Sequence, residues 1–314
     1  IDAAKRASGV ESQMAAEELR ARRRELSYQV TRAYYEVLLA ERRAEVAKTS
    51  IERSREGLDM IELRYAEQDA LKVELLGAEG QLAADELALL QATNDLDLAR
   101  RSLNRLLGRP QEGELNLSDF LEGNLQVPPE ATGVENAAAA NPGVRMAGLS
   151  VEQADAAFGS AQSLSRPKLE LSAIYTWIDN ELFFEGQYAG AVVNLSIPFF
   201  QDIRAGSAAK QRARAQKTRA DAMLADAISV VELQAIAAYR DLEEKLTAVE
   251  AARKNLEYHR ERYRVTQSGY REEMVTFSDV LDSHDDLRQA ELGLSGAHFQ
   301  TRIQEAEIRR LAGN

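Results

Sequence analysis

Asp279 and Asp282 stand at i and i+3, which puts both carboxylates on one face of any helix that carries them. Such a pair favours cations and repels anions, and copies held close together would have raised, coupled pKa values. Glu74 takes the place of Asp279 in an earlier, similar stretch, and Tyr65 precedes Glu74 as Tyr270 precedes Asp279. Acidic residues near a helix N-terminus are favoured by the dipole alone, so the residue types leave a gate and a structural role both open. His259, His284 and His298 are scattered; His284 lies near the acids, but a solvated role is expected for each and no metal site. There is no cysteine, phosphate-binding glycine loop, nucleophile elbow or paired-histidine zinc helix. No enzyme is expected, and no cofactor.

The elements that position these groups come in two copies. Residues 1–108 and 206–313 align without a gap at an offset of 205, with about 24 identical pairs. Ala3-Ala4-Lys5 meets Ala208-Ala209-Lys210, Ala33-Tyr34 meets Ala238-Tyr239, Tyr65 meets Tyr270 and Leu76 meets Leu281. The second copy is preceded by residues 141–205. By analogy, about 64 residues of a truncated first copy are expected upstream of Ile1.

Charged residues make up 29% and aromatics 6%, the makeup of long helices and coiled coils. A net charge of -12 argues against nucleic acid or an anionic membrane surface as a partner. No apolar run of membrane-helix length is evident, so contact with a bilayer is expected through strands. All six prolines fall between residues 110 and 198, leaving both flanking arms free to form unbroken helix. Leu26, Val30, Ala33, Val37, Ala40, Ala47 and Ile51 keep alternating steps of three and four, as do Val231, Ala235, Ala238, Leu242, Val249 and Leu256. Leu19, earlier on the same arm, joins the seam. This spacing predicts one apolar seam per helix and antiparallel helical hairpins. Each would run about 65 residues, roughly 95 Å at helical rise, turn near Tyr65–Ala70 or Tyr270–Val275, and return over about 35.

Five blocks follow: a helical hairpin at 1–109, a connector without clear period at 110–140, a short helix at 141–166, a strand pair at 167–200 and a second helical hairpin at 201–314. In the strand pair Leu169, Leu171, Ala173, Tyr175 and Trp177 share one face, as do Ala189, Ala191, Val193, Leu195, Ile197 and Phe199. Ten-residue strands with this alternation fit a transmembrane β-hairpin or a hairpin half-buried against helices.

Three stretches carry a family likeness: Arg166-Pro-Lys-Leu-Glu-Leu through Leu195-Ser-Ile-Pro-Phe-Phe200, Val30-Thr-Arg-Ala-Tyr-Tyr-Glu-Val-Leu38, and Gly269-Tyr270 through Asp279-Val-Leu-Asp282. With the duplication, they resemble the TolC family of outer-membrane efflux proteins. The resemblance implies a mainly α protein with a β-hairpin. It implies a homotrimer whose long antiparallel coiled-coil hairpins form an α-barrel across the periplasm, and whose strands contribute to one β-barrel in the outer membrane of a Gram-negative bacterium. Leu169, Leu171, Tyr175, Trp177, Val193, Leu195 and Ile197 would then face lipid. A periplasmic adaptor (membrane fusion) protein and an inner-membrane transporter would be the partners. Asp279 and Asp282 would line a closed periplasmic end as stacked carboxylate rings, joined by Glu74, while the Tyr270 hydroxyl bonds across to a neighbouring helix. Tyr65, Glu67, Gln68, Glu272, Glu273 and Val275 would form the tip that meets the adaptor. Two departures stand out: Gln68 and Glu273 sit where the family turn has glycine, and Val275 where some members carry a gate arginine. The runner-up is a soluble coiled-coil scaffold or a membrane-shaping helical bundle; a scaffold has no use for a lipid-facing strand pair.

Overall fold

The computed structural model describes residues 2–118, 127–163, 167–178, 186–197 and 200–312. The order is α1 (Asp2–Ala66), α2 (Lys72–Leu106), α3 (Glu130–Ala140), α4 (Pro142–Ser163), β1 (Lys168–Ile178), β2 (Gly186–Ser196), α5 (Phe200–Arg271) and α6 (Phe277–Ala312). The long helices end where the turns were expected. The described residues fall into two compact units, 1–20 with 142–230, and 21–141 with 231–314, so α1 and α5 contribute to both.

In the second of these units the alternating seam becomes the core. Val37, Ala33 and Leu103 join α1 to α2, Leu38, Leu39 and Phe299 join α1 to α6, and Leu256, Leu287 and Ala290 join α5 to α6. Burying one such leucine or valine contributes about 1.5–3 kcal/mol. Leu26, expected in the seam, is exposed. The connector also differs from expectation, since α3 forms within it. Pro129 sets the extended entry and four consecutive alanines end the helix. Gly133 lets α3 press onto α5: a Cβ there would stand 1.9 Å from the Tyr239 hydroxyl. That hydroxyl donates to the Pro128 carbonyl at 2.8 Å.

The other unit holds α4 and the strand pair. Lys217 of α5 meets Asp155 of α4 at 2.5 Å, and Arg145 of α4 lies 3.6 Å from Glu17 of α1. Leu19, expected in the seam, is exposed here as well. β1 and β2 pair antiparallel, with Leu169 opposite Leu195, Leu171 opposite Val193 and Tyr175 opposite Ala189. The pleat thus gathers these side chains on one face. Leu171 is 74% exposed, and Leu169, Tyr175, Val193 and Leu195 are exposed with it. Ile197, expected in the strand, lies just past the end of β2 and is also exposed. Phe199 and the Trp177 side chain lie outside the described residues. By length and composition alone, α5 passes as a membrane span, which the sequence reading did not anticipate. Its middle is alanine-rich, and Val230, Leu233 and Ile236 are exposed there.

Candidate gate at the two helical turns

The turns α1–α2 and α5–α6 carry the same backbone bonds, 205 positions apart. Gln68 N–H donates to Tyr65 C=O and Asp69 N–H to Arg64 C=O, at 3.1 and 2.8 Å; Glu273 to Tyr270 and Met274 to Gly269 repeat these distances. This closure requires a left-handed residue just past the helix. Gln68 (φ 64°) and Glu273 (φ 58°) supply it, at the two positions where glycine was expected.

The side chains then diverge. Tyr270 is buried with Ile61, Ala78, Phe277 and Val280, its ring 5.4 Å from that of Phe277. Its hydroxyl donates to Glu74 Oε1 at 3.4 Å, which links α5 to α2. Burial, then the Glu74 charge, raise the phenol above its usual pKa. Arg64 of α1 lies 4.9 Å over the Tyr270 ring and donates to the Tyr270 carbonyl at 3.2 Å and to Glu273 at 3.1 Å. Nothing in the sequence reading singled out Arg64. Its only signal is a basic residue in the last turn of a helix, beside the tyrosine. Tyr65, by contrast, is exposed.

Glu74 and Asp279 occupy the same place in their helices. Glu74 Oε2 accepts the Leu71 N–H at 2.8 Å, and Asp279 Oδ2 accepts the Thr276 N–H at 2.9 Å. At the second turn Thr276 completes the exchange: its Oγ accepts the Asp279 N–H at 3.3 Å and donates to Oδ2 at 2.7 Å. The Thr276 hydroxyl, then its N–H, hold the Asp279 carboxyl below its usual pKa. Within one chain, a capping carboxylate is stabilised in its charged form; the upward shift expected of copies held close together concerns the assembled protein. Asp279 and Asp282 are both exposed, whereas Glu74 is half-buried. Glu67, Gln68, Glu272 and Glu273 are exposed at the turns, and Val275 packs half-buried against the Tyr270 cluster.

His284 is not solvated as expected. It is 3% exposed, and its Nε2 meets Asp85 Oδ2 and Ser50 Oγ, each at 2.9 Å. Among the described residues no group of three or more acidic or histidine side chains is placed to hold a metal ion.

A sequence profile of the outer membrane efflux protein family matches residues 2–109 and 133–314. The chain belongs to that family. Members are outer-membrane channels rather than enzymes, so this efflux protein resides in the outer membrane of a Gram-negative cell and catalyses no reaction. No curated protein sequence matches it. Solved structures of outer-membrane proteins share its fold, three of them as follows. The outer-membrane channel OprN is 20% identical with a TM-score of 0.83, the match covering 98% of this chain and 70% of that one. For the outer membrane protein VceC of Vibrio cholerae the values are 18%, 0.80, 100% and 75%. For the open-state MtrE outer membrane channel of Neisseria gonorrhoeae they are 17%, 0.82, 100% and 71%.

Proposed function

We propose that the chain is one protomer of a homotrimeric export duct, gated at its two helical turns and working with a periplasmic adaptor and an inner-membrane transporter. The observation that carries this reading is the isolated strand pair with its exposed apolar face. A two-stranded sheet has two open edges. A bilayer accepts strands only in a closed barrel, and the one strand pair among the described residues cannot close one without further strands, which copies of the chain would supply. The same copies would cover the exposed Val230, Leu233 and Ile236 of α5. Residues 1–109 and 201–314 are then the α-barrel hairpins, 167–200 the membrane segment, and 110–140 with 141–166 the material between.

At the turns, the Tyr270–Glu74 and Arg64–Glu273 bonds tie α5 to α2 and α1. Arg64 thus offers the cationic tie that Val275 cannot. In a trimer the exposed Asp279 and Asp282 would form two carboxylate rings that favour cations, and the acidic tip at Glu67, Glu272 and Glu273 would meet a basic adaptor surface. The test is single-channel conductance of the full-length protein in planar bilayers, wild type beside Asp279→Ala/Asp282→Ala. Small cation-preferring steps that lose their preference in the double variant are expected. Steps indifferent to the change would move the gate elsewhere, and folded trimers with no conductance would count against the duct.

A further inference from the structure

Deep between α1, α2 and α6 the apolar seam is interrupted by four polar side chains. Ser50 and Ser54 come from α1, Asp85 from α2 and His284 from α6; all four are buried, Asp85 at 1% exposure. Asp85 Oδ2 accepts from His284 Nε2 and from the Ser54 hydroxyl, and Ser50 Oγ lies against the same ring nitrogen. Arg288 Nε stands 3.9 Å from the other Asp85 oxygen. Either side of the cluster, Arg53 of α1 binds Glu291 of α6 through two bonds of 3.2 and 2.9 Å, and Gln81 of α2 donates to Asp285 of α6 at 3.2 Å.

Two other readings fail on geometry. A hydrolytic triad needs its serine and its carboxylate on opposite ring nitrogens, whereas here both meet Nε2. A ligand site needs room, and the adjoining cavity is about 20 Å³.

We propose that Asp85 and His284, with Ser50 and Ser54, are positioning residues that clasp α6 to the α1–α2 hairpin and thereby set how far the acidic turn opens. The inference rests on the duct reading above for its consequence, and on the cluster for its mechanism. Packing does not demand this set of groups: 205 positions away Asp85 is matched by Ala290, His284 by Glu79, Ser50 by Asn255 and Ser54 by His259. The α5–α6 hairpin forms with no carboxylate at the place of Asp85 and no serine at the places of Ser50 and Ser54. An alanine and leucine seam tolerates small sliding, but a buried carboxylate left unpaired is costly, so the cluster admits one rotation and one height of α6. His284 lies eight residues beyond the Thr276 cap, about 12 Å along the helix. Asp279 and Asp282 lie between them on the same rigid helix. Widening the turn by moving α6 must therefore break the clasp. Burial alone would raise the Asp85 carboxyl, but the bonds from His284 and Ser54 outweigh it and hold the group below its usual pKa, as an ionised acceptor.

The experiment compares full-length Asp85→Asn, His284→Gln and the double variant by amide hydrogen exchange over α6 and by bilayer conductance. Each single change should raise exchange at residues 277–290 and open occupancy about tenfold, with only a small drop in the global melting temperature. The double variant should exceed neither single, because both remove one bond. Unchanged exchange in folded trimers overturns the clasp, and so do multiplying effects. Ser50→Ala leaves ring and carboxylate in place and covers the case in which Asp85→Asn fails to assemble; it should raise exchange about threefold, and no rise overturns the proposal. If exchange responds while even the wild type does not conduct, the clasp stands and the duct reading falls.

Discussion

Tyr65 and Tyr270 end their helices at equivalent places, yet Tyr65 is 40% exposed and Tyr270 only 4%. Backbone bonds around them match in partner and length. What separates the turns is the neighbouring side chains. The first turn has Leu71 before α2, with no side-chain cap, while the second has Thr276 before α6, exchanging bonds with Asp279. The first sends Arg64 and Glu74 outward to the second. One backbone solution thus serves two roles: the α1–α2 turn is an anchor, and the α5–α6 turn is the element that is held. In a gate, the held element is the one that can be released.

The largest expected difference follows from burial. Tyr270→Ala should cost about 3–5 kcal/mol of tip stability, the usual range for a large buried aromatic, whereas Tyr65→Ala should cost under about 1 kcal/mol. Hydrogen exchange at the two turns in the assembled protein measures both. Equal losses would break the comparison. Tyr270→Phe should cost much less than Tyr270→Ala, since only the long bond to Glu74 is lost.

The caps come next. Thr276→Ala should weaken the α6 start by about 1 kcal/mol, and Leu71→Thr should strengthen the α2 start by a similar amount. Leu71 already has the extended backbone of a capping residue, φ -83° and ψ 151°, with Glu74 in place. A gain at Leu71 read by exchange of the first α2 amides would sharpen the claim that side chains alone distinguish the turns. No gain would mean that the α2 start is fixed by packing instead.

How much of this was readable beforehand depended on the range of the interaction. Proline-free arms, a three-four apolar spacing and two strand-length alternations are local, and α1, α2, α5, α6, β1 and β2 followed from them. The positive-φ sites were also legible, because a turn that normally holds glycine names its own strained position. The wiring was not. That Asp85 reaches His284, 199 residues away, or that Arg64 reaches Glu273, 209 away, depends on which helix faces which. The duplication obscured this further, since a lone histidine without a repeat mate reads as surface. Helix α3 was missed because Pro128, Pro129 and Gly133 mask its alanine run.

A smaller effect tests the strained residues. Glycine relieves the left-handed penalty but adds unfolded-chain entropy, so Gln68→Gly should gain about 0.5–1 kcal/mol. Glu273→Gly should gain less, because it also removes the Arg64 ion pair. Melting temperatures of the two variants compare them directly. A larger gain at Glu273 would mean that the tie to Arg64 contributes nothing.

The smallest effect is a titration, and it separates the capping role of Asp279 from its role in a ring. Its carboxyl is held below the usual pKa by the Thr276 hydroxyl and N–H. A depressed pKa contributes stability above the unfolded carboxylate value, and that stability is lost as pH falls through the folded value. The α6 start should therefore loosen only below the ordinary carboxylate range, and Thr276→Ala should move the Asp279 pKa upward, as followed by carboxyl carbon NMR. In a closed trimer the neighbouring carboxylates push the same way as Thr276→Ala, toward a higher pKa. If Asp279 of the assembled wild type titrates above the ordinary range, repulsion between copies outweighs the cap, and the turns are close enough together to act as a constriction. If it stays below, the cap dominates and the aspartates stand apart.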